Sequence, residues 1–238
     1  GGGLGGGGGG SGGAGAGAGA SSGVVKGNAA AASAGGGYGG TLFNCEIEDN
    51  EAGEEGGGSW ESTAVNCLYR GNAANYGGGA VYGSLRNCTL VGNVARLAGG
   101  GAVAASGFNS ILYFNAAPEG SNDYVNALDH CCVAPLAEGA GNFDGDPGLL
   151  TRANPRLRPE SACVDAGTNE AWMAGATDLA GRARIGGARV DVGAYEFHAG
   201  AHTGAMAVAI AATWTNAATG YPLPFAAEVE GDALGFEW

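Results

Sequence analysis

The feature that most limits what this chain can fold into is a step of about 22 residues. Asn28, Asn50, Asn72, Asn93 and Asn115 follow one another at intervals of 22, 22, 21 and 22 residues. A second set, Asn44, Asn66, Asn87 and Asn109, keeps the same step, and Cys45, Cys67, Cys88 and then Ser110 each stand one residue after it. Glycine triplets recur at 35–37, 56–58, 77–79 and 99–101. Four kinds of marker on one period specify a stack of repeated units, each sharing its core with its neighbours.

Within a unit the period is two. Cys67, Tyr69 and Gly71 alternate with Leu68 and Arg70, and Cys88, Leu90 and Gly92 alternate likewise with Thr89 and Val91, the pattern of strands. Aligned coil on coil, the inward column reads Val25, Ile47, Tyr69, Leu90, Leu112. The outward column is Lys26, Glu48, Arg70, Val91, Tyr113, whose first three members alternate in charge, favourably for neighbours one strand spacing apart. Such a unit is too short for a βαβ motif, which needs about 30 residues or more. The fold class expected is all-β: a right-handed parallel β-helix over 23–117, about 21–22 residues per coil, with an irregular C-terminal cap over 118–197 where the period stops. Asn tolerates the left-handed turn conformation, and its amide both donates and accepts. Asn28, Asn50, Asn72, Asn93 and Asn115 therefore read as a ladder along the stack. The tract at 1–22 reads either as a flexible linker or as further, glycine-built coil.

Charge narrows the partners. The chain has a net charge of -13, and Lys26 is its one lysine, whereas a polyanion such as nucleic acid needs clustered Lys and Arg. No apolar run is long enough to span a bilayer as a helix.

The "GGA" plus apolar phrases at Gly78 to Val81 and Gly100 to Val103, with φ-x-x-N at "VKGN", "IEDN", "LVGN" and "LYFN", resemble the GGAI/FxxN repeats of chlamydial polymorphic outer-membrane proteins and related bacterial β-helix surface proteins. The chain departs from them in carrying Leu, Ile or Val where that family favours Phe. The phrases "HCCVAP", "GNFDGDPGLL", "LRPESACVDAG", "TDLAGRAR" and "RVDVGAYEF", in that order through Phe197, look like the C-terminal region of secreted β-helix proteins of the choice-of-anchor Q type. In these phrases Asp165, Asp178 and Asp191 are expected to make turns and Asx hydrogen bonds. The tail at 205–238 looks like the start of a PKD-type, immunoglobulin-like domain, the simpler reading being two more strands on the cap. The resemblances imply display outside the cell, secreted or at the outer membrane. They also imply further domains and a partner that is an extracellular glycan or the surface of a host or neighbouring cell.

β-Helices carry polysaccharide lyases and glycosidases as well as inert scaffolds, so residues must decide. Acids gather at Glu46, Glu48, Asp49, Glu51, Glu54, Glu55 and Glu61. Glu46 and Glu48 are expected side by side on the outward face of one strand, with Arg70 one coil from Glu48. These three are the residues that would carry catalysis, although a solvated charged face is the simpler account of them. The run "EDNEAGEE" could supply oxygens for Ca²⁺ from Glu48, Asp49, Glu51, Glu54 and Glu55, without the spacing of a known loop. No cofactor is required by the sequence. His130, His198 and His202 share no ligand spacing with Cys or Asp. Cys45, Cys67 and Cys88 fall in one inward column as packed thiols. Cys163 with either Cys131 or Cys132 is the pair expected to form a disulfide. No second acidic coil, histidine or aromatic platform in stacked register accompanies the acids. The functional expectation is a non-catalytic extracellular scaffold or adhesin-like module, the alternative being a polysaccharide lyase or glycosidase.

Overall fold

The computed structural model describes residues 20–198 and two strands further on, Ala207–Ala212 and Phe225–Glu230. Residues 20–133 form a parallel β-solenoid whose coils have four short faces. The first face stacks Gly37–Tyr38, Ser59–Trp60, Ala80–Val81, Ala102–Val103 and Asp123–Tyr124. The second stacks the start of Thr41–Glu48 with Thr63–Val65, Ser84–Arg86, Ser106–Phe108 and Ala127–Asp129. The third stacks Ala20–Lys26 and the end of Thr41–Glu48 with Leu68–Arg70, Thr89–Val91, Ile111–Tyr113 and Cys132–Val133. The fourth stacks Ala29–Ala30, Glu51–Ala52, Ala73–Tyr76 and Val94–Ala98.

Faces this short require sharp corners, and the chain makes them with single left-handed residues. Asn44, Asn66, Asn87 and Asn109, at φ between 49° and 52°, turn the second face into the third, a conformation Asn tolerates better than most residues. Two of their side chains do a second job, since Nδ2 of Asn66 donates to the Thr177 carbonyl and that of Asn109 to the Thr168 carbonyl. The glycine triplets lie where coils approach backbone to backbone. A Cβ on Gly78 would sit 2.4 Å from the Val94 carbonyl oxygen, closer than any side chain allows.

The inside of the solenoid is one apolar core. Val25, Ile47, Tyr69, Leu90 and Leu112 stack from the third face against Leu42, Ala64, Leu85 and Leu128 of the second. The Tyr69 hydroxyl is satisfied there by Ser59 at 2.9 Å. Beside this core the Asn ladder runs the length of the stack. Nδ2 of Asn28, Asn50, Asn72 and Asn93 each donates to Oδ1 of the next member at 2.9 Å, and the same oxygens accept backbone N–H groups.

The repeat does not stop at 118. Asp123–Tyr124, Ala127–Asp129 and Cys132–Val133 pair in register with the preceding coil, so the expected boundary moves to the far side of Val133. The coil is hidden in the sequence because its ladder position is filled by Asn122. That residue stands only 7 positions after Asn115 and accepts from its Nδ2 at 3.0 Å. The region expected to be a cap has two parts. Residues 134–143 close the end of the stack, with Asn142 Oδ1 taking the Cys131 N–H and Phe143 bridging to Cys132. The segment 147–197 instead lies against the outer side of the third face, like an apron. Leu149, Leu157, Cys163 and Val192 pack there on Leu68, Val91, Ile111 and Cys132. The helical content among the described residues is the single turn Ala171–Met173 within this segment.

The apron is held internally by acids and one buried arginine. Asp178 accepts from the backbones of Arg182 and Glu196, and Asp191 from those of Asp165 and Phe197. Arg184, fully buried, donates to the carbonyls of Asp191 and Gly193 at 2.9 and 2.8 Å and lies 3.8 Å from Glu196. From His198 the chain belongs to a separate unit. Its described part is the antiparallel pair of Ala207–Ala212 with Phe225–Glu230. The rest of the expected immunoglobulin-like start at 205–238 lies outside the described residues, as do residues 1–19.

A candidate functional site between solenoid and apron

Where the apron crosses the third face it leaves an open, polar cavity of about 270 Å³, lined by Glu46, Glu48, Arg70, Asn154, Arg156 and Tyr195 among others. Strand alternation puts Glu46 and Glu48 on the same side of Thr41–Glu48, opposite the inward Ile47. Register sets Arg70 directly beside Glu48, and Lys26 on its other side. The structure thus brings the three suspected catalytic residues together and adds three from the apron.

Their chemistry differs from the expectation of a solvated charged face. Glu48 is only 4 % exposed, because the apron covers the column on which it lies. Its carboxylate is held from both sides, at 2.5 Å by Arg70 and 3.2 Å by Lys26. Arg70 also donates to the Ala153 carbonyl of the apron. The alternating column Lys26, Glu48, Arg70 is therefore an ion-pair ladder that ends by fastening the apron. Hydrogen bonds from Lys26 to Glu48 and Asp49 raise the lysine's pKa, keeping it charged.

Glu46 is half-buried and makes no hydrogen bond or ion pair among the described residues. Burial, and then the negative charge of Glu46, hold the Tyr195 phenol well above its ordinary pKa, so Tyr195 faces the cavity as a proton-bearing donor. The Arg156 guanidinium lies 5.7 Å from the centre of the Tyr195 ring. Retaining or inverting glycoside hydrolysis needs two available carboxylates roughly 5 to 10 Å apart. Here one of the two is consumed by its cations, and the cavity is left with one carboxylate, two guanidinium groups and a phenol.

The suspected calcium ligands do not converge. Glu48 turns to Arg70 and Lys26, Asp49 to Lys26 at 3.3 Å, and Glu51 to Arg96 at 2.6 Å; Glu55 accepts from Trp60 Nε1, and Glu54 is exposed. Four of these five acids are drawn to local donors, and no metal-holding group of His, Cys, Asp and Glu forms among the described residues. The inward thiols do more than fill space. The Cys67 thiol donates to the Leu42 carbonyl and accepts the Cys45 N–H, spanning the corner where the left-handed Asn interrupts the backbone ladder. Ser110 plays the same part with its hydroxyl, donating to Leu85 and accepting from Cys88, which explains why Ser can replace Cys there. Cys131 continues this inward column, whereas Cys132 faces outward beside Cys163. All six cysteines are buried, and none is joined in a disulfide.

Arg156 and Tyr195 escaped sequence reasoning because they come from outside the repeat, and only the third dimension lays them over Glu46. One other expectation needs amending: Tyr38 and Trp60 are in register and stack, and Tyr82, from the corner after the next coil's strand, meets Trp60 edge to face. Comparison of the chain with protein families, with curated proteins and with solved structures finds no match.

Proposed function

We propose that this chain is a non-catalytic β-solenoid scaffold, an adhesin-like module of a larger exported protein that presents its outer faces to an extracellular glycan or cell surface. The observation that supports this reading best is the state of Glu48, buried under the apron and neutralised by Arg70 and Lys26. A carboxylate so placed is occupied by its two cations and holds the arginine that fastens the apron. The reading needs no cofactor.

The alternative, a polysaccharide lyase or glycosidase, draws on the cavity itself, where Glu46, Arg156 and Tyr195 meet. A screen of uronic-acid and neutral polysaccharides, with and without Ca²⁺, separates the two by the release of reducing or unsaturated ends. The scaffold reading expects no turnover on any of them. Turnover that disappears in Glu46→Gln or Tyr195→Phe would overturn it in favour of an enzyme.

A further inference from the structure

The first face carries an apolar ridge on its outer side. Tyr38, Trp60, Val81, Val103 and Tyr124 are register partners on successive coils; Val81 and Val103 are buried, so the accessible part of the ridge is Tyr38 and Trp60 with Tyr82 from the corner next to Val81. Tyr38 and Trp60 stack with ring centres 5.0 Å apart and planes at 16°, while Tyr82 meets Trp60 edge to face at 5.9 Å and 90°. The coil from Trp60 to Val81 is one residue shorter than that from Tyr38 to Trp60. The third ring is therefore carried by the corner residue and turned across the other two. Tyr38 remains 54 % exposed and Tyr82 44 %, in contrast to the third face, which the apron buries. The charges along this ridge have one sign. Its strands and the corner residues after them contain no Lys or Arg, Glu61 is exposed at one corner, and Glu55 is hydrogen-bonded to Trp60. Exposed Glu61 is the register neighbour of Tyr82.

We infer that this ridge is a docking surface for a linear polysaccharide of amino sugars lying along the solenoid axis. Coils repeat every ~4.8 Å, close to the rise per ring of an extended pyranose chain, so a sugar chain along the axis meets Tyr38, Trp60 and Tyr82 on three successive coils. The C–H face of a pyranose is apolar and packs on aromatic rings, and a ring's electron-rich face also attracts a cation. Ammonium groups on the sugars over Trp60 and Tyr82 are matched by Glu55 and Glu61, whereas a uronate polymer would set carboxylate against carboxylate. The inference rests on the scaffold reading, for which it names the ligand class and the surface.

The test is calorimetric titration of the 238-residue chain with a glucosamine oligomer, its fully N-acetylated counterpart and a galacturonate oligomer. The glucosamine oligomer is expected to bind, more weakly as salt is raised, and the galacturonate oligomer not to bind. Trp60→Ala and the surface variant Tyr82→Ser should each weaken binding roughly tenfold, and Glu61→Gln should reduce its salt dependence. Leu97→Ser, on the fourth face, should change nothing. No binding of glucosamine oligomers, equal binding of the N-acetylated form, or affinity unmoved in Tyr82→Ser would overturn the inference. Binding that persists in the ridge variants would leave the scaffold reading standing, while turnover of any oligomer would defeat that reading without touching the ridge.

Discussion

Asn72 shows how little freedom a repeat residue has. Its carboxamide accepts the backbone N–H and the Nδ2 of Asn50, and donates to the Ile47 carbonyl and to Asn93, all at 2.8 to 3.0 Å and fully buried. Asn72→Ala strips partners from three buried groups at once, and an unpaired buried group costs about 1–3 kcal/mol. A loss of roughly 3 kcal/mol or more is expected, read as a lower urea midpoint; a loss under about 1 kcal/mol would mean that water replaces the ladder. Glu196 illustrates the opposite kind of residue, one whose environment works against its charge. Burial, and then the nearby charge of Asp191, push its pKa up to about 8 from an ordinary 4.5. The folded state therefore holds a proton that the unfolded chain releases. The stability this contributes is complete below about pH 4.5 and is lost as pH rises through about 8. Urea midpoints measured across that range should fall for the wild type and fall less for Glu196→Gln; parallel profiles would contradict the assignment.

At the scale of elements, the outer side of the third face is where expectation and structure part most. Strand alternation puts Leu68 and Val91 outward, which in a bare solenoid means in water, yet they are 2 % and 0 % exposed. The apron makes a second core of them, with Cys132 and Cys163 at its centre. Leu68→Ala should therefore cost about 2–4 kcal/mol, as at a core position, where a solvent-facing leucine would cost almost nothing; chemical denaturation measures the difference. The same geometry sorts the cysteines. Cys131 is turned into the inner column, and Cys132 is the one left against Cys163. When the chain is exposed to a disulfide oxidant such as oxidised glutathione, non-reducing peptide mapping should find Cys132 joined to Cys163. Cys45, Cys67, Cys88 and Cys131 should remain reduced. Any other pairing would show that the apron packs differently. The step of 22 residues was enough to read the coils, because stacking repeats the same demand at every level. The apron was not legible in that way, since its contacts are made once each and carry no period. The same cause hid the cavity: Glu46, Glu48 and Arg70 could be aligned by counting, whereas Arg156 and Tyr195 could not.

At the scale of the whole molecule, a solenoid is quasi-one-dimensional, and each coil feels only the coils beside it. The apron breaks that rule. It is fastened to Asn66 through Thr177, to Arg70 through Ala153, to Arg86 through Glu170 at 2.5 Å, to Thr89 through Ala194 and to Asn109 through Thr168. One chain segment thus spans three successive coils and couples their opening on one side. Among the described residues the fourth face has no comparable cover: Val94 and Leu97 are 47 % and 48 % exposed, and one of its cross-coil supports is the solvent-exposed pair of Arg96 with Glu51, of a kind worth little. Opening free energies should therefore differ across each coil although the inner core is shared. Native-state hydrogen exchange is expected to show the amides of Leu68–Arg70, Thr89–Val91 and Ile111–Tyr113 exchanging only on global unfolding. The amides of Glu51–Ala52, Ala73–Tyr76 and Val94–Ala98 should exchange earlier, through local opening. Equal protection on both faces would mean that the inner core alone sets the cooperativity. A reversed order would mean that the apron lifts off before the coils part, leaving Glu48 and its cavity open to solvent.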